Sequence, residues 1–405
     1  MTDQVLQSNN SSVIFRSLQD AEVQDLSYTT KPSYPILAKD KREIQSNQAI
    51  AGSPHGQEVS FNLIKSKLWT GAMIKTAYTI SSTYSDVTSN SDFHGLNMFE
   101  WVQIRSNNKV IFQMTDSYLQ GRTSNEKEHK QGMIQRMALP LVPTTELPAN
   151  LGATTSLVTY TPIFSSFFES VKNALDLNFL EQLTVVVKFN TQSRAGFQRD
   201  ITAATCTLWD AKYVLDDKAY DMLRAKNFSP SRPLNFLAYS VFQESIECTG
   251  LFTNSIRLNV NFPVFKTYIM LRNKTATIEV GGQPFKIDSF DFSVGGTKLL
   301  ENVPYLVGVS ECAYKGASSL VVSGANTVVR SDKNAICLDW GMDMMQDRTY
   351  NSGGISFNQI SFPQVTVNHQ TLTDASHYDL IVVHEYWQIL TMDGANGSIN
   401  VSVNS

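Results

Sequence analysis

Apolar and polar residues alternate along much of the chain from residue 57 onward. Val59, Phe61 and Leu63, for example, are separated by polar neighbours. Successive side chains of a strand point to opposite faces, so this spacing predicts strands with one buried face. The same alternation recurs in later segments, at 73–80, 185–189, 256–262, 290–294 and 399–403. Many such segments, separated by Gly, Asn and Pro, indicate antiparallel β-sandwiches.

A hairpin and two helices are also predicted. Residues 101–112 hold two apolar stretches around the polar stretch 106–109, which is typical of a β-hairpin. Within 163–181, Phe, Val and Leu recur at roughly helical spacing, and Asp216 is a suitable N-cap for a helix over 217–226. We therefore expect an all-β chain with short helical insertions.

The clearest break in the pattern is the stretch 227–233, which contains two prolines. Prolines this close together end any continuing helix or strand. The break leaves a first half, 57–226, and a second half, 234–405, each with roughly the strand content of one eight-stranded antiparallel jelly roll. The predicted fold is therefore two tandem jelly rolls. Residues 1–56 are the least patterned, and we interpret them as an N-terminal tail, extended or part-helical, that orders on contact with a partner.

Composition narrows the possible functions. Charged residues make up only 17% of the 405 residues, against about 25% in typical soluble proteins, and the formal net charge is −4. This charge argues against a protein whose main task is to neutralise nucleic-acid phosphates, and no sequence-specific nucleic-acid binding is expected. The chain has no apolar run of the length that a membrane-spanning helix needs, and its N-terminus lacks the features of a secretory signal.

Several segments are similar, in order and spacing, to those of one protein family. In the first half they are 99–111 with Tyr118-Leu119, 162–189, and 213–217 with the helix after it. In the second half they are 261–271, 339–342 with 351–360, and 384–390 with Gly394 and Gly397. Ser356 and Gln359 replace the usual Asn and Arg of that family. Together these segments span about 95–400 and resemble the double jelly-roll major capsid proteins of icosahedral DNA viruses, a lineage of tectivirus-like phages, virophages and large eukaryotic DNA viruses.

The resemblance implies a coat protein without catalysis. Three copies would form a pseudo-hexagonal capsomer that tiles the facets of an icosahedral virion, after assembly inside the host cell. Other copies of the chain, penton proteins and minor or cement capsid proteins would be partners, and an internal membrane is a further candidate. The resemblance also assigns 162–189 to the insertion between the family's F and G strands. The alternatives are a virion spike or lectin-like carbohydrate-binding β-sandwich, and a cupin-like enzyme.

The reactive residue types predict no catalytic, cofactor-binding or metal site. The histidines are not paired at the spacing of cupin ligands; they are His55, His94, His129, His369, His377 and His384. Adjacent residues of a strand point to opposite faces, so His384 and Glu385 would not form an acid–base pair. The cysteines are interpreted as buried free thiols; they are Cys206, Cys248, Cys312 and Cys337.

Four other features have ordinary structural interpretations. The pairs Gly281-Gly282 and Gly295-Gly296 are turn glycines rather than phosphate loops. The mixed-charge run 126–130 is a solvated face or a subunit salt bridge. The aromatic residues Phe164, Phe167 and Phe168 pack against the sandwich rather than form a ligand box. The segment 13–26 is apolar enough to touch a membrane, but its acidic residues oppose binding to an anionic bilayer.

Overall fold

The computed structural model describes most of the chain from Ile36 to Ser402. The described residues are 36–65, 68–80, 94–126, 128–147, 149, 156–169, 174–178, 180, 182–191, 201–218, 220–221, 234–273, 284–285, 287–305, 307–308, 335–341, 353–372, 374–393 and 397–402.

The first half forms a sandwich of two antiparallel sheets. Its strands are β1 (Ile36–Gln45), β2 (Glu58–Asn62), β3 (Leu68–Ile80), β4 (Phe99–Ser106), β5 (Lys109–Thr115), β6 (Ser156–Pro162), β7 (Leu175–Asp176), β8 (Leu183–Phe189) and β9 (Ile201–Leu215). One sheet has the order β1-β9-β3-β6, with the short β7 beside β3, and the other has the order β2-β8-β4-β5. Without β7, these orders are those of an eight-stranded jelly roll, whose strands B to I are β1 to β6, β8 and β9.

The second half repeats this topology. Its strands are β10 (Leu234–Glu247), β11 (Thr253–Arg257), β12 (Pro263–Asn273), β13 (Pro284–Phe285), β14 (Ile287–Val294), β15 (Thr297–Pro304), β16 (Ile336–Asp339), β17 (Ile355–Ser356), β18 (Gln364–His369), β19 (Tyr378–Asp393) and β20 (Ser398–Ser402). One sheet has the order β10-β19-β12, with β13, β16 and β17 paired to β12 and β20 paired to β19. The other has the order β11-β18-β14-β15. The predicted double jelly roll is therefore confirmed.

Short helices fill connections between strands. They include α1 (His94–Asn97), α2 (Asp116–Ser124), α3 (Glu128–Ala138), α4 (Ser166–Glu169) and the 3₁₀ helices Phe357–Gln359 and Ala375–His377. Helix α2 begins directly after β5, because Thr115 acts as its N-cap and accepts a hydrogen bond from the Tyr118 amide (3.2 Å). The hairpin of β4 and β5 also forms as predicted. Asn107 and Asn108, at its turn, both have positive φ, which a tight two-residue hairpin turn requires.

Three expectations about the elements need correction. Within 163–181 the described residues contain only the short helix α4, because Leu175 and Asp176 instead pair with β3 as β7. The stretch 163–182 lies between the G and H strands, whereas α2 and α3 occupy the F–G connection. Part of the presumed tail is structured, since β1 pairs with β9 along its length. Residues 217, 218, 220 and 221 are helical as predicted. The rest of that helix, the linker 227–233 and residues 1–35 lie outside the described residues.

The buried apolar residues form two large clusters. One fills the second sandwich, between its two sheets. The other fills the first sandwich and continues onto the opposite face of the β10-β19-β12 sheet, where Tyr239, Phe265 and Trp387 belong to it. The core of the first jelly roll is therefore continuous with the buried side chains that the second jelly roll contributes at this face, and we call this combined cluster the shared core.

Candidate assembly surfaces and the junction between the jelly rolls

The two jelly rolls meet over a surface that we call the junction. On one side of it lie β5 and α2 of the first jelly roll, and on the other lies the outer face of the β10-β19-β12 sheet. Polar contacts fasten β5 to this sheet, because Gln388 Nε2 donates to the Ile111 carbonyl (2.6 Å) and the Gln113 amide donates to Ser240 Oγ (3.3 Å). The junction thus satisfies backbone groups at the edge of β5 that would otherwise need water.

Aromatic rings fill the centre of the junction. Trp387 stacks on Phe265, with ring centroids 4.5 Å apart, and Tyr239 meets Trp387 edge-on. Tyr239 also contacts Phe112 of β5. Helix α2 approaches β12 closely at Gly121, where an added Cβ would lie 3.1 Å from Tyr268. Close packing of this kind opposes lateral movement between the two jelly rolls.

A buried ion pair crosses the junction at one end. Arg272, near the end of β12, lies 2.7 Å from Asp116 at the start of α2, and both side chains are 1% exposed. Arg272 also donates to Ser117 Oγ (3.1 Å) and Asn97 Oδ1 (3.3 Å), while Asn190 donates to the Asp116 carboxylate (2.7 Å). The carboxylate also lies in the first turn of α2, where the helix dipole favours negative charge.

A second buried arginine organises the centre of the junction. Arg122, on α2, donates to Tyr118 and Tyr239 (2.8 and 2.7 Å) and pairs with Glu126 (2.9 Å) and Glu169. Its guanidinium also lies 4.2 Å from the ring centroid of Phe164. Glu126 is therefore part of a buried network, so the prediction that its charged run is a solvated face or a subunit salt bridge is wrong at this residue.

His384 and Glu385 point to opposite faces of β19, as predicted. Glu385 faces the junction and accepts a hydrogen bond from Tyr118 (2.7 Å). His384 faces the interior of the second sandwich, where Nδ1 lies 3.0 Å from Thr267 Oγ1 and Nε2 lies 3.4 Å from Glu244 Oε2. The two side chains therefore serve separate packing environments and do not converge on a common substrate position.

We expect His384 to make the fold sensitive to acid. Burial lowers the pKa of its imidazole, and Glu244 only partly opposes this effect. Below about pH 6.5 the histidine takes up a proton in the unfolded chain but remains neutral in the folded chain. The free energy of unfolding therefore decreases as the pH is lowered, until the pH reaches the folded pKa. When the pH is lowered from 7.5 to 5.5, the free energy of unfolding measured with urea should fall by up to about 1 kcal/mol more for the natural chain than for His384→Gln. Equal losses would contradict this assignment.

The other candidate residues that the structure describes serve packing or turns. Burial raises the pKa of the Cys206 thiol to about 12, as expected for an inert buried cysteine. Gly295 and Gly296 form the turn between β14 and β15 with positive φ. Phe167 is buried in the shared core, and Phe168 packs edge-on against Trp69. Residues 13–26, Cys312 and Gly281-Gly282 lie outside the described residues.

Two further properties concern ligands and membranes. Among the residues that the structure describes, no group of three or more His, Cys, Asp or Glu side chains is arranged to hold a metal ion. Within the same part of the chain, no helix is long and apolar enough to cross a membrane.

The residues that join the jelly rolls carry little signal in the sequence. Arg122, Arg272 and Asp116 stand in ordinary mixed contexts, and their ion pairs link positions far apart in sequence. The one local signal is Thr115-Asp116 directly after an apolar strand, a pattern typical of a helix start. That signal locates α2 but says nothing about its partner on β12.

Comparisons of the structure identify the fold. The capsid protein of the virus PBCV-1 superposes with a TM-score of 0.66 at 13% identity, covering 93% of this chain and 99% of that chain. The Faustovirus major capsid protein superposes with a TM-score of 0.59 at 9% identity, covering 96% of this chain and 98% of that chain. The mavirus major capsid protein gives 0.55 at 12% identity, covering 90% of each chain. No protein-family model and no curated protein matches the sequence. The chain therefore has the double jelly-roll fold found in these capsid proteins.

Proposed function

We propose that this chain is a major capsid protein that assembles as homotrimers, each a pseudo-hexagonal block in the facet of an icosahedral virion. The observation that carries the proposal is the arrangement of two like jelly rolls side by side. Asp116 follows strand F of the first jelly roll and pairs with Arg272 at the end of strand D of the second. These strands end on the same side of a jelly roll, so the two sandwiches stand in the same orientation.

This arrangement suits a tile. Three chains around a threefold axis present six similar wedges, and closed symmetry ends the ring at three copies. The rigid junction keeps the two wedges of a chain at a fixed angle, which a regular outline requires. The likeness to capsid proteins over nearly their whole length supports the same interpretation. The role requires no catalysis, cofactor or sequence-specific nucleic-acid contact.

The remaining partners follow from a position in a virion shell. We infer that the trimers contact neighbouring capsomers, penton proteins and minor or cement capsid proteins, after assembly inside the host cell. Residues 1–35, which precede β1, are our candidate for contacts with these proteins or with an internal membrane. No observation on the described residues favours a spike or lectin role over the coat role.

The proposal is tested by the mass and shape of the purified protein. Light scattering after size exclusion should give about 136 kDa, three chains of 45.2 kDa each, and negative-stain images should show hexagonal blocks. A protein that stays monomeric at micromolar concentrations and under assembly conditions would contradict the coat function. A monomer that binds glycans on an array would instead favour the lectin alternative.

A further inference from the structure

The two jelly rolls differ in what covers their corresponding surfaces. The outer face of the β10-β19-β12 sheet lies in the junction, where Trp387 on β19 is 1% exposed. The corresponding outer face of the β1-β9-β3-β6 sheet, which we call the first outer face, carries the half-buried Trp209 on β9. Around Trp209 lies a mostly apolar pocket of about 460 Å³ that Met73, Tyr160 and Lys41 also line. The outer face of the second jelly roll is thus covered within the chain, while the first outer face is only half-buried.

The F strands, at the edges of the two jelly rolls, also differ in exposure. Strand β5 is the F strand of the first jelly roll, and its Ile111, Phe112 and Met114 are almost fully buried. Strand β15 is the F strand of the second, yet six of its eight residues are exposed and none is buried. Leu299 is 62% exposed on this strand. An exposed edge strand with apolar side chains is a ready site for association with another chain.

We propose that the first outer face of one copy covers the β15 side of the second jelly roll of the next copy, repeating between chains the contact that the junction makes within one chain. This inference rests on the proposed coat function and identifies the surfaces that build the trimer. The contact is head-to-tail, so each copy uses one surface of each kind. Junctions and intermolecular contacts then alternate around the ring.

Both surfaces carry charged groups beside an apolar centre. Lys41 lines the pocket of the first outer face, and Lys39 and Lys75 lie over Tyr213 and Tyr160 of the same sheet. The acidic residues of this face are held within the chain, because Glu43 accepts a hydrogen bond from Thr207 and Glu146 accepts one from Tyr160. The β15 side carries two carboxylates, Asp291 and Glu301, around Lys298. Leu299 projects from this side as an apolar side chain of a size that the pocket admits. Opposite charges bordering an apolar centre favour a specific orientation of the two copies.

Single substitutions on each surface test the proposal. Met73→Asp and Lys41→Glu on the first outer face, and Leu299→Asp on β15, should each weaken trimer formation roughly 30-fold or more, measured by sedimentation velocity across a dilution series. The matched control is Phe252→Asp, because Phe252 is 59% exposed but precedes β11, at the opposite edge of the sheet that contains β15. This control should form trimers like the natural chain. Lys41 is exposed, so its variant reports on association even if Met73→Asp fails to fold.

Mixing the variants tests the head-to-tail arrangement. Lys41→Glu and Leu299→Asp each retain one intact surface, so a mixture should form a one-to-one dimer that neither variant forms alone. A natural chain that never forms trimers would overturn the proposed function. Trimers that persist in both the Lys41→Glu and Leu299→Asp variants would overturn this inference while leaving the coat function standing. An unimpaired Leu299→Asp variant beside an impaired Lys41→Glu variant would indicate a symmetric face-to-face contact instead, and would overturn it too.

Discussion

Replacing Arg272 by alanine is expected to lower the free energy of unfolding by about 3–5 kcal/mol, the range for breaking a buried ion pair. The substitution leaves the Asp116 carboxylate buried with amide and hydroxyl partners but without its cation. It also removes the donor groups that hold Asn97 and Ser117 across the junction. Urea unfolding followed by circular dichroism at a fixed protein concentration measures the change.

Two control variants separate the ion pair from a general effect of losing an arginine. Arg257 is exposed and lies over the Phe362 ring (4.5 Å), so Arg257→Ala should cost about 1 kcal/mol or less. The double variant Arg272→Met with Asp116→Asn removes both charges, and it should be more stable than the sum of the two single losses predicts. An Arg272→Ala loss as small as that of Arg257→Ala would show that the junction does not depend on this pair.

Trp387→Ala is the second substitution with a large expected effect, also about 3–5 kcal/mol. The indole is almost fully buried, and its ring contacts Phe265 and Tyr239 from two directions. Its N–H has no hydrogen-bond partner among the described residues, so packing rather than polarity accounts for the loss. Trp387→Phe retains most of this packing and should recover about half of the stability or more.

Trp209→Ala is the matched control for Trp387→Ala, because Trp209 occupies the outer face of the corresponding strand in the first jelly roll. Trp209 is only half-buried in a single chain, so its removal should cost the monomer about 1 kcal/mol. If the first outer face binds a second copy, the same substitution should strongly weaken the trimer. Equal losses of monomer stability for the two tryptophans would contradict the difference in burial on which this comparison depends.

The alternation of apolar residues was sufficient to predict the β-rich fold, but it failed where a strand has unusual surroundings. Strand β1 is an edge strand whose side chains are mostly polar, and among those described only Ile44 is buried. Such a strand reads as an unpatterned tail. Strand β19 is instead buried on both faces. One face lies in the core of the second sandwich and the other lies in the junction. Its sequence therefore contains apolar runs, at 380–383, 386–387 and 389–390, rather than a regular alternation.

The junction could not be predicted because its contacts are long-range. Arg272 and Asp116 are 156 positions apart in sequence, and Gln388 and Ile111 are 277 apart. Neither residue of these pairs has a local pattern that marks its partner. The helix expected over 163–181 failed for a related reason, since pairing of Leu175 with Trp69 of β3 outweighed local helical spacing. The double jelly roll was nevertheless recognisable, because the order and spacing of its segments survive even where individual strands are ambiguous.

The shared core also bears on how the protein is made. It includes Ile399 on the last strand as well as residues of β2 near the start of the first jelly roll. During synthesis, the side of the first jelly roll that faces the junction stays uncovered until β19 and β20 have been made. A truncated product of stalled translation would keep this apolar surface exposed permanently. High-level production of the chain should therefore place a heavy load on the chaperones that shield nascent chains.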